Sequence, residues 1–311
     1  MPNIDLFDTD LRPMQYWAVK AEDKLDQWAS GKAEGMSTGF KTIDENFNLV
    51  DGELITIAAR PSMGKTIFGV QVAENVAKQI QAAGRNECVA FFSAEMTGES
   101  IAHRMAGALG GVSVHKLRKG KGSPDEYTQM KDALRKIKTL PFWMDDGSAP
   151  TTKAMFEKLG RLTDTIDVRL MLFDFLELGG DRGADTEELR IGQIIIALKD
   201  IAKALRIPVI ALSQVNRDVE NRANKMPTLA DLRRSGQIEQ VSDVVAFIMR
   251  PQYYADRGMN VEVVNAQDLN NIAYISIAKN RHGPVENVRM YFDGVQGKFG
   301  DLEITRKEFD Y

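Results

Sequence analysis

Residues 53–66, ELITIAARPSMGKT, constrain the fold of this chain more than any other stretch. Leu54, Ile55 and Ile57 form a short apolar run of the kind that makes a buried strand. A small-residue loop follows, then Gly64-Lys65-Thr66, and the segment IFGVQVAENVAKQIQAAG continues with helical character. Strand, loop and helix in that order are what turn a phosphate-loop pattern into a mechanism. Backbone N–H groups at the helix N-terminus curl round phosphate oxygens, where the helix dipole favours negative charge. The form is A-x-x-x-x-G-K-T, with Ala59 where a first glycine is usual. Ala59, Arg60, Pro61, Ser62, Met63, Gly64, Lys65, Thr66 and Ile67 are therefore expected to bind a nucleoside triphosphate. Lys65 reaches the β- and γ-phosphates and the Thr66 hydroxyl sits on Mg²⁺. The plain alternative is a chance Gly-Lys-Thr turn opening a helix.

The chain has 311 residues, enough for one large α/β domain or a domain with an appendage. Its net charge of −4 means that a nucleic-acid partner must be met by a local basic patch. The single cysteine, Cys88, has no partner for an internal disulfide, which fits a reducing cytoplasm. The opening Met1-Pro-Asn-Ile-Asp is not a signal peptide, and no apolar run is long enough to span a membrane.

Residues 1–35 differ from the rest. Trp17, Ala21, Leu25 and Trp28 recur at helical spacing and form a one-sided apolar stripe, broken by Gly31 and Gly35. So short a helix must lay its stripe on something, either its own domain or a neighbouring subunit. From residue 36 to 311 one domain is expected. Its strands are the apolar stretches at 54–58, 89–93, 141–144, 168–173 and 208–212, alternating with helices. That alternation predicts a parallel sheet with helices on both faces. Val244 to Met249, Ala273 to Ala278 and Val288 to Phe292 follow without long helices, so the sheet is expected to end antiparallel.

Ligands of open α/β sheets gather beyond the carboxyl ends of the strands. There the sequence sets the phosphate loop, Ser93 and Glu95, Asp174, and Ser213-Gln214. Asp174 is the natural acid to hold Mg²⁺, unless it merely caps a turn. Because Phe175 and not a carboxylate follows it, Glu95 is the better general base for water attack. Gln214 offers an amide that can sense the γ-phosphate; the bland alternative is a surface loop glutamine. Arg233, Arg234 and Gly236 belong to a polar loop able to track a nucleic-acid backbone, or else to a solvated charged face. Lys279 and Arg281 close a strand two residues apart and suit the arginine-finger role on a neighbour's nucleotide. His103, His115 and His282 lack a partnering nucleophile, and no zinc pattern occurs.

Taken together, ELITIAARPSMGKT, FFSAEMTGES, MLFDFLEL, the stretch from ALSQVNRD to VVAFIMR, and ISIAKNRHGPV resemble the ATPase domain of DnaB-type replicative helicases. The resemblance runs from about Ser37 to about Asp293. It implies a RecA-like fold, a ring-shaped homo-hexamer, and ATP-driven 5′-to-3′ movement on single-stranded DNA. It further implies Glu95 as catalytic base, Asp174 as metal-side acid, Gln214 as phosphate sensor, and Lys279 with Arg281 acting on the adjacent subunit. Arg233, Arg234 and Gly236 match the family's central-channel DNA loop. The segment before the domain matches a linker whose helix docks on the next protomer. Arg234 stands where Glu is common and Glu177 where Gln is usual. The family's N-terminal collar, which contacts primase, is not represented; the expectation is either a truncated chain or a compact viral or plasmid-type branch. Primase and a helicase loader are the further partners the family implies. The rival expectations are a filament-forming strand-exchange or mediator ATPase, and a non-translocating protein that binds ATP only to assemble or load.

Overall fold

β1 (Leu54–Ala59) is buried along its whole length, as an unbroken apolar run requires. Each of Leu54, Ile55 and Ile57 contributes about 1.5–3 kcal/mol of burial free energy. Around it, a computed structural model describes residues 11–181, 183–232, 236–261 and 270–302. The other strands are β2 (Glu87–Ser93), β3 (Phe142–Asp145), β4 (Asp167–Asp174), β5 (Val209–Gln214), β6 (Val244–Met249), β7 (Ile272–Asn280), β8 (Asn287–Asp293) and β9 (Lys298–Asp301). They form one sheet in the order β3-β2-β4-β5-β1-β6-β7-β8-β9. The pairs from β3 to β6 are parallel, and those from β6 to β9 are antiparallel.

The expected parallel sheet with an antiparallel end is present, with one correction at the junction. The sequence groups Val244 to Met249 with the antiparallel strands, yet β6 runs parallel to β1, with Ile55 opposite Val244. A parallel partner needs a crossover. Here the described residues of 215–243 supply it with 3₁₀ turns and one short helix, so no long helical period announces it.

The helices are α1 (Met14–Ala29), α2 (Lys41–Asp44), α3 (Lys65–Ala82), α4 (Gly98–Gly110), α5 (Val114–Arg118), α6 (Pro124–Ile137), α7 (Thr152–Thr163), α8 (Glu187–Leu205), α9 (Gly236–Val241) and α10 (Pro251–Ala255). Strand side chains alternate between faces, so the sheet carries two cores. On one face Ile55, Ile57, Leu170 and Leu172 meet Phe68, Val72 and Val76 of α3, together with Phe40 and Leu49. On the other, Met171 and Phe173 meet Met155 of α7 and Ile191, Ile195 and Leu198 of α8. Helix starts follow local chemistry. Thr97, Thr151 and Thr186 cap α4, α7 and α8, and Ser123 with Glu126 makes a reciprocal capping box at α6.

Among the described residues nothing covers the stripe on α1: none of the helix's residues is buried. Trp17, Leu25 and Trp28 are 49%, 57% and 46% exposed. The reading in which this helix packs on its own domain is not what the fold adopts.

Candidate functional site

Strand order brings the predicted groups together. β2, β4, β5 and β1 are successive neighbours, so Glu95, Asp174, Gln214 and the phosphate loop emerge side by side at their carboxyl ends. The loop leaves β1 at Ala59 and turns through Ser62 and Gly64, both with positive φ, into α3. Ala59 is still the last strand residue, paired with Gln214 and Ile248, so its position needs no glycine. A cavity of about 430 Å³ opens there, within the range of small-molecule sites. Ala59, Arg60, Pro61, Ser62, Gly64, Lys65, Thr66, Ile67, Glu95 and Gln214 all line it. Met63 does not: its side chain is turned into the core beside the loop.

The lysine and the hydroxyl converge on the acid at the end of β4. Thr66 Oγ1 donates to Asp174 Oδ2 at 2.7 Å, and Lys65 Nζ lies 3.8 Å from Asp174 Oδ1 and over the Phe175 ring. Asp174 is fully buried, and burial pushes its carboxyl up against the opposing pull of Lys65 and Thr66. Burial likewise lowers the Lys65 ammonium, with Asp174, Glu177 and Glu95 resisting. Each charge is held in a place that penalises it, the condition that perturbed groups in functional sites share. Asp174 Oδ1 is buried with no hydrogen-bond partner among the described residues, an orphaned acceptor that a cation or its water shell would satisfy. No cluster of three or more metal-ligating side chains occurs among the described residues. One hydroxyl and one carboxylate are nonetheless the donor set a Mg²⁺ needs when phosphates and waters complete its shell.

Glu95 is exposed at the cavity wall, set by a turn in which Ser93 Oγ bonds the Met96 backbone twice and Ala94 N–H donates to Asp174 O at 2.7 Å. Arg104, Phe175, Arg250 and Phe292 also line the cavity, and the sequence does not single them out as site residues. Arg104 lies on α4 beside Ile101 and Met105, in a segment that carries no motif to mark it. Desolvation lowers its pKa while Glu95 and Asp174 raise it. Arg250 stacks on Phe292 at 3.9 Å and donates to Ser62 O, a contact between elements 188 residues apart. Glu177 stands out in the sequence only as a departure from a family pattern. It is a carboxylate three residues beyond Asp174, buried, and bonded to Ser213 and Gln214.

Lys279 and Arg281 stand at the other end of the sheet. Asn280 pairs with Val244, at the start of β6, whereas the phosphate loop follows the end of β1. Lys279 Nζ donates to the backbone of Glu239, Gln240 and Ser242, and Arg281 Nη2 donates to Gln240 O at 2.7 Å. Arg281 Nη1 lies 3.4 Å from Asp243. The two cations share one side, as expected, but cannot serve their own chain's loop, roughly 16 Å away along β1. Arg233 and Arg234 lie outside the described residues; Gly236 opens α9.

The DnaB-like helicase C terminal domain family matches residues 35–301. The Replicative DNA helicase DnaB of Rickettsia prowazekii is 39% identical over 286 residues, 86% of this chain and 58% of that protein. The Replicative DNA helicase DnaB of Geobacillus stearothermophilus is 36% identical, over 88% of this chain and 58% of its own length. The chain thus spans a little under three-fifths of these relatives. Among solved structures, one ATPase domain superposes with a TM-score of 0.83 at 29% identity, covering 94% of this chain and all of that one. A DnaB-like replicative helicase, described with its interactions with primase, gives 0.80 at 28% identity over 95% of this chain and 68% of its own. The fold is therefore RecA-like, and the chain belongs to the DnaB-like helicase C-terminal domain family.

Proposed function

We propose that this chain is the ATP-hydrolysing motor domain of a replicative DNA helicase, working with Mg²⁺ in a homo-hexameric ring on single-stranded DNA. The observation that carries this reading is that Glu95, Gln214 and the Lys65-Thr66 loop line one cavity at the ends of adjacent strands, with Asp174 buried behind Lys65 and Thr66. The first turn of α3 and Lys65 hold the triphosphate. Glu95 orients and deprotonates the attacking water, and Gln214 registers the γ-phosphate. Thr66 and Asp174 would hold Mg²⁺, which supplies neutralisation of phosphate charge. Lys279 and Arg281, distant from their own loop, serve the nucleotide of the next protomer. Arg233, Arg234 and Gly236 grip the DNA backbone, with 5′-to-3′ movement. Residues before 36 form the linker, whose exposed stripe on α1 docks on a neighbour. Primase and a helicase loader are the further partners this reading assigns.

Glu95→Gln tests it. Hydrolysis should fall by about 100-fold or more, the usual contribution of a general base, with ATP binding retained. If the unmodified chain shows no hydrolysis stimulated by single-stranded DNA, a non-translocating assembly protein is the better account. Unwinding of a fork with a 5′ tail separates the helicase from a strand-exchange ATPase, which has no such activity.

A further inference from the structure

We propose that Glu177 is a positioning residue for the phosphate sensor, fixing the backbone of Gln214 through a carboxylate that stands in for a missing strand partner. The inference rests on the ATPase reading above and adds to it a residue that reading leaves without a role. β4 and β5 pair only from Met171↔Val209 to Phe173↔Ala211, and β4 ends at the next residue, Asp174. Val215 N–H donates across to Ala59 O on the β1 side, so by strand alternation the Gln214 N–H faces the β4 side. No β4 carbonyl is left there to receive it. Glu177 Oε1 accepts that N–H at 2.7 Å, and the Ser213 hydroxyl at 2.9 Å.

The clamp itself is held. Glu177 sits in a 3₁₀ turn, Leu176–Leu178, and Arg190 of α8 donates to its carbonyl oxygen at 2.8 Å. The residue is 9% exposed, and burial raises its carboxyl pKa, opposed chiefly by Lys65. The second oxygen, Oε2, is buried without a hydrogen-bond partner among the described residues. A staple with no further task is better made by a group that leaves no orphaned acceptor, since such an acceptor costs stability. Departures from local optimality of this kind gather at functional sites. Sensor geometry is where a small displacement matters, because Gln214 lines the cavity directly.

The test compares the unmodified chain with Glu177→Ala, Glu177→Asp and Glu177→Gln. Two readouts are taken: ATP hydrolysis, and binding of ADP against a non-hydrolysable ATP analogue. In Glu177→Ala and Glu177→Asp, which lack or withdraw the acceptor, kcat and the preference for the triphosphate should both fall roughly tenfold or more. ADP affinity should stay within about twofold, since uniform binding is untouched. Glu177→Gln keeps an acceptor oxygen and should hold both readouts within about threefold of the unmodified chain. The Asp variant carries the test if the Ala variant does not fold. Folded Ala or Asp variants with unchanged kcat and unchanged triphosphate preference, differing only in melting temperature, overturn the proposal and leave the ATPase reading standing. If the unmodified chain neither hydrolyses ATP nor distinguishes it from ADP, the ATPase reading falls and this inference falls with it.

Discussion

Gly64 meets two demands that no other residue satisfies at that position. Its φ of +97° lies in the left-handed region, and a Cβ there would come within 3.1 Å of the Phe299 ring and 3.3 Å of Phe292. Both rings are buried and pack on one another at 4.7 Å, so neither has room to retreat. Gly64→Ala is therefore expected to destabilise the fold by about 1–3 kcal/mol, seen as a lowered denaturation midpoint, apart from any effect on ATP binding. An unchanged midpoint would mean that the C-terminal hairpin is not pressed on the loop as described. The glycine itself is legible in the sequence as part of the phosphate-loop pattern. Its second reason is not, because Phe299 lies 235 residues further along and meets it only through the fold of β8 and β9 against α3.

Helix α1 is amphipathic by spacing and exposed in the fold, and the two facts together point outward. Leu25→Asp places a charge in the middle of the stripe, at a site 57% exposed. Surface substitutions that touch nothing change stability by no more than about 0.5 kcal/mol, so the chain's own unfolding should barely move. Its self-association should weaken, read as a drop in assembly mass by light scattering with nucleotide present. The reverse pattern, a destabilised core with an unchanged mass, would return the helix to its own domain. β6 teaches a complementary lesson. Its apolar run is evident, but its direction depends on a crossover made of turns, and turns carry no period from which direction can be read.

The sheet sets apart two functions that the proposed motor must join between subunits. The phosphate loop leaves the end of β1, while Lys279 and Arg281 lie where β6 begins, anchored to the residues around α9. Both side chains donate to backbone carbonyls at the end of α9, the helix that Gly236 opens, so in the proposed motor the finger and the DNA loop would share one short helix. Mixing Arg281→Ala chains with Lys65→Ala chains, each inactive alone, should restore part of the hydrolysis at interfaces that join an intact loop to an intact finger. Well-mixed assemblies without any recovery would count against action between subunits. In the proposed motor a net charge of −4 leaves DNA affinity to a local basic patch, and that affinity should weaken steeply as salt rises.

Local chemistry was written in the chain itself: the phosphate loop, the polar residues ending the apolar strands, and the stripe on α1. Each depends on residues within about one or two helical turns of one another, a range over which spacing alone fixes geometry. Only tertiary structure decided that β2, β4, β5 and β1 stand in that order, that Glu177 reaches Gln214 past the end of β4, and that Arg250 and Phe292 close the cavity. These are pairings between residues far apart in sequence. They are chosen by which faces bury together and which backbone groups are left to be satisfied, and no single segment carries that choice.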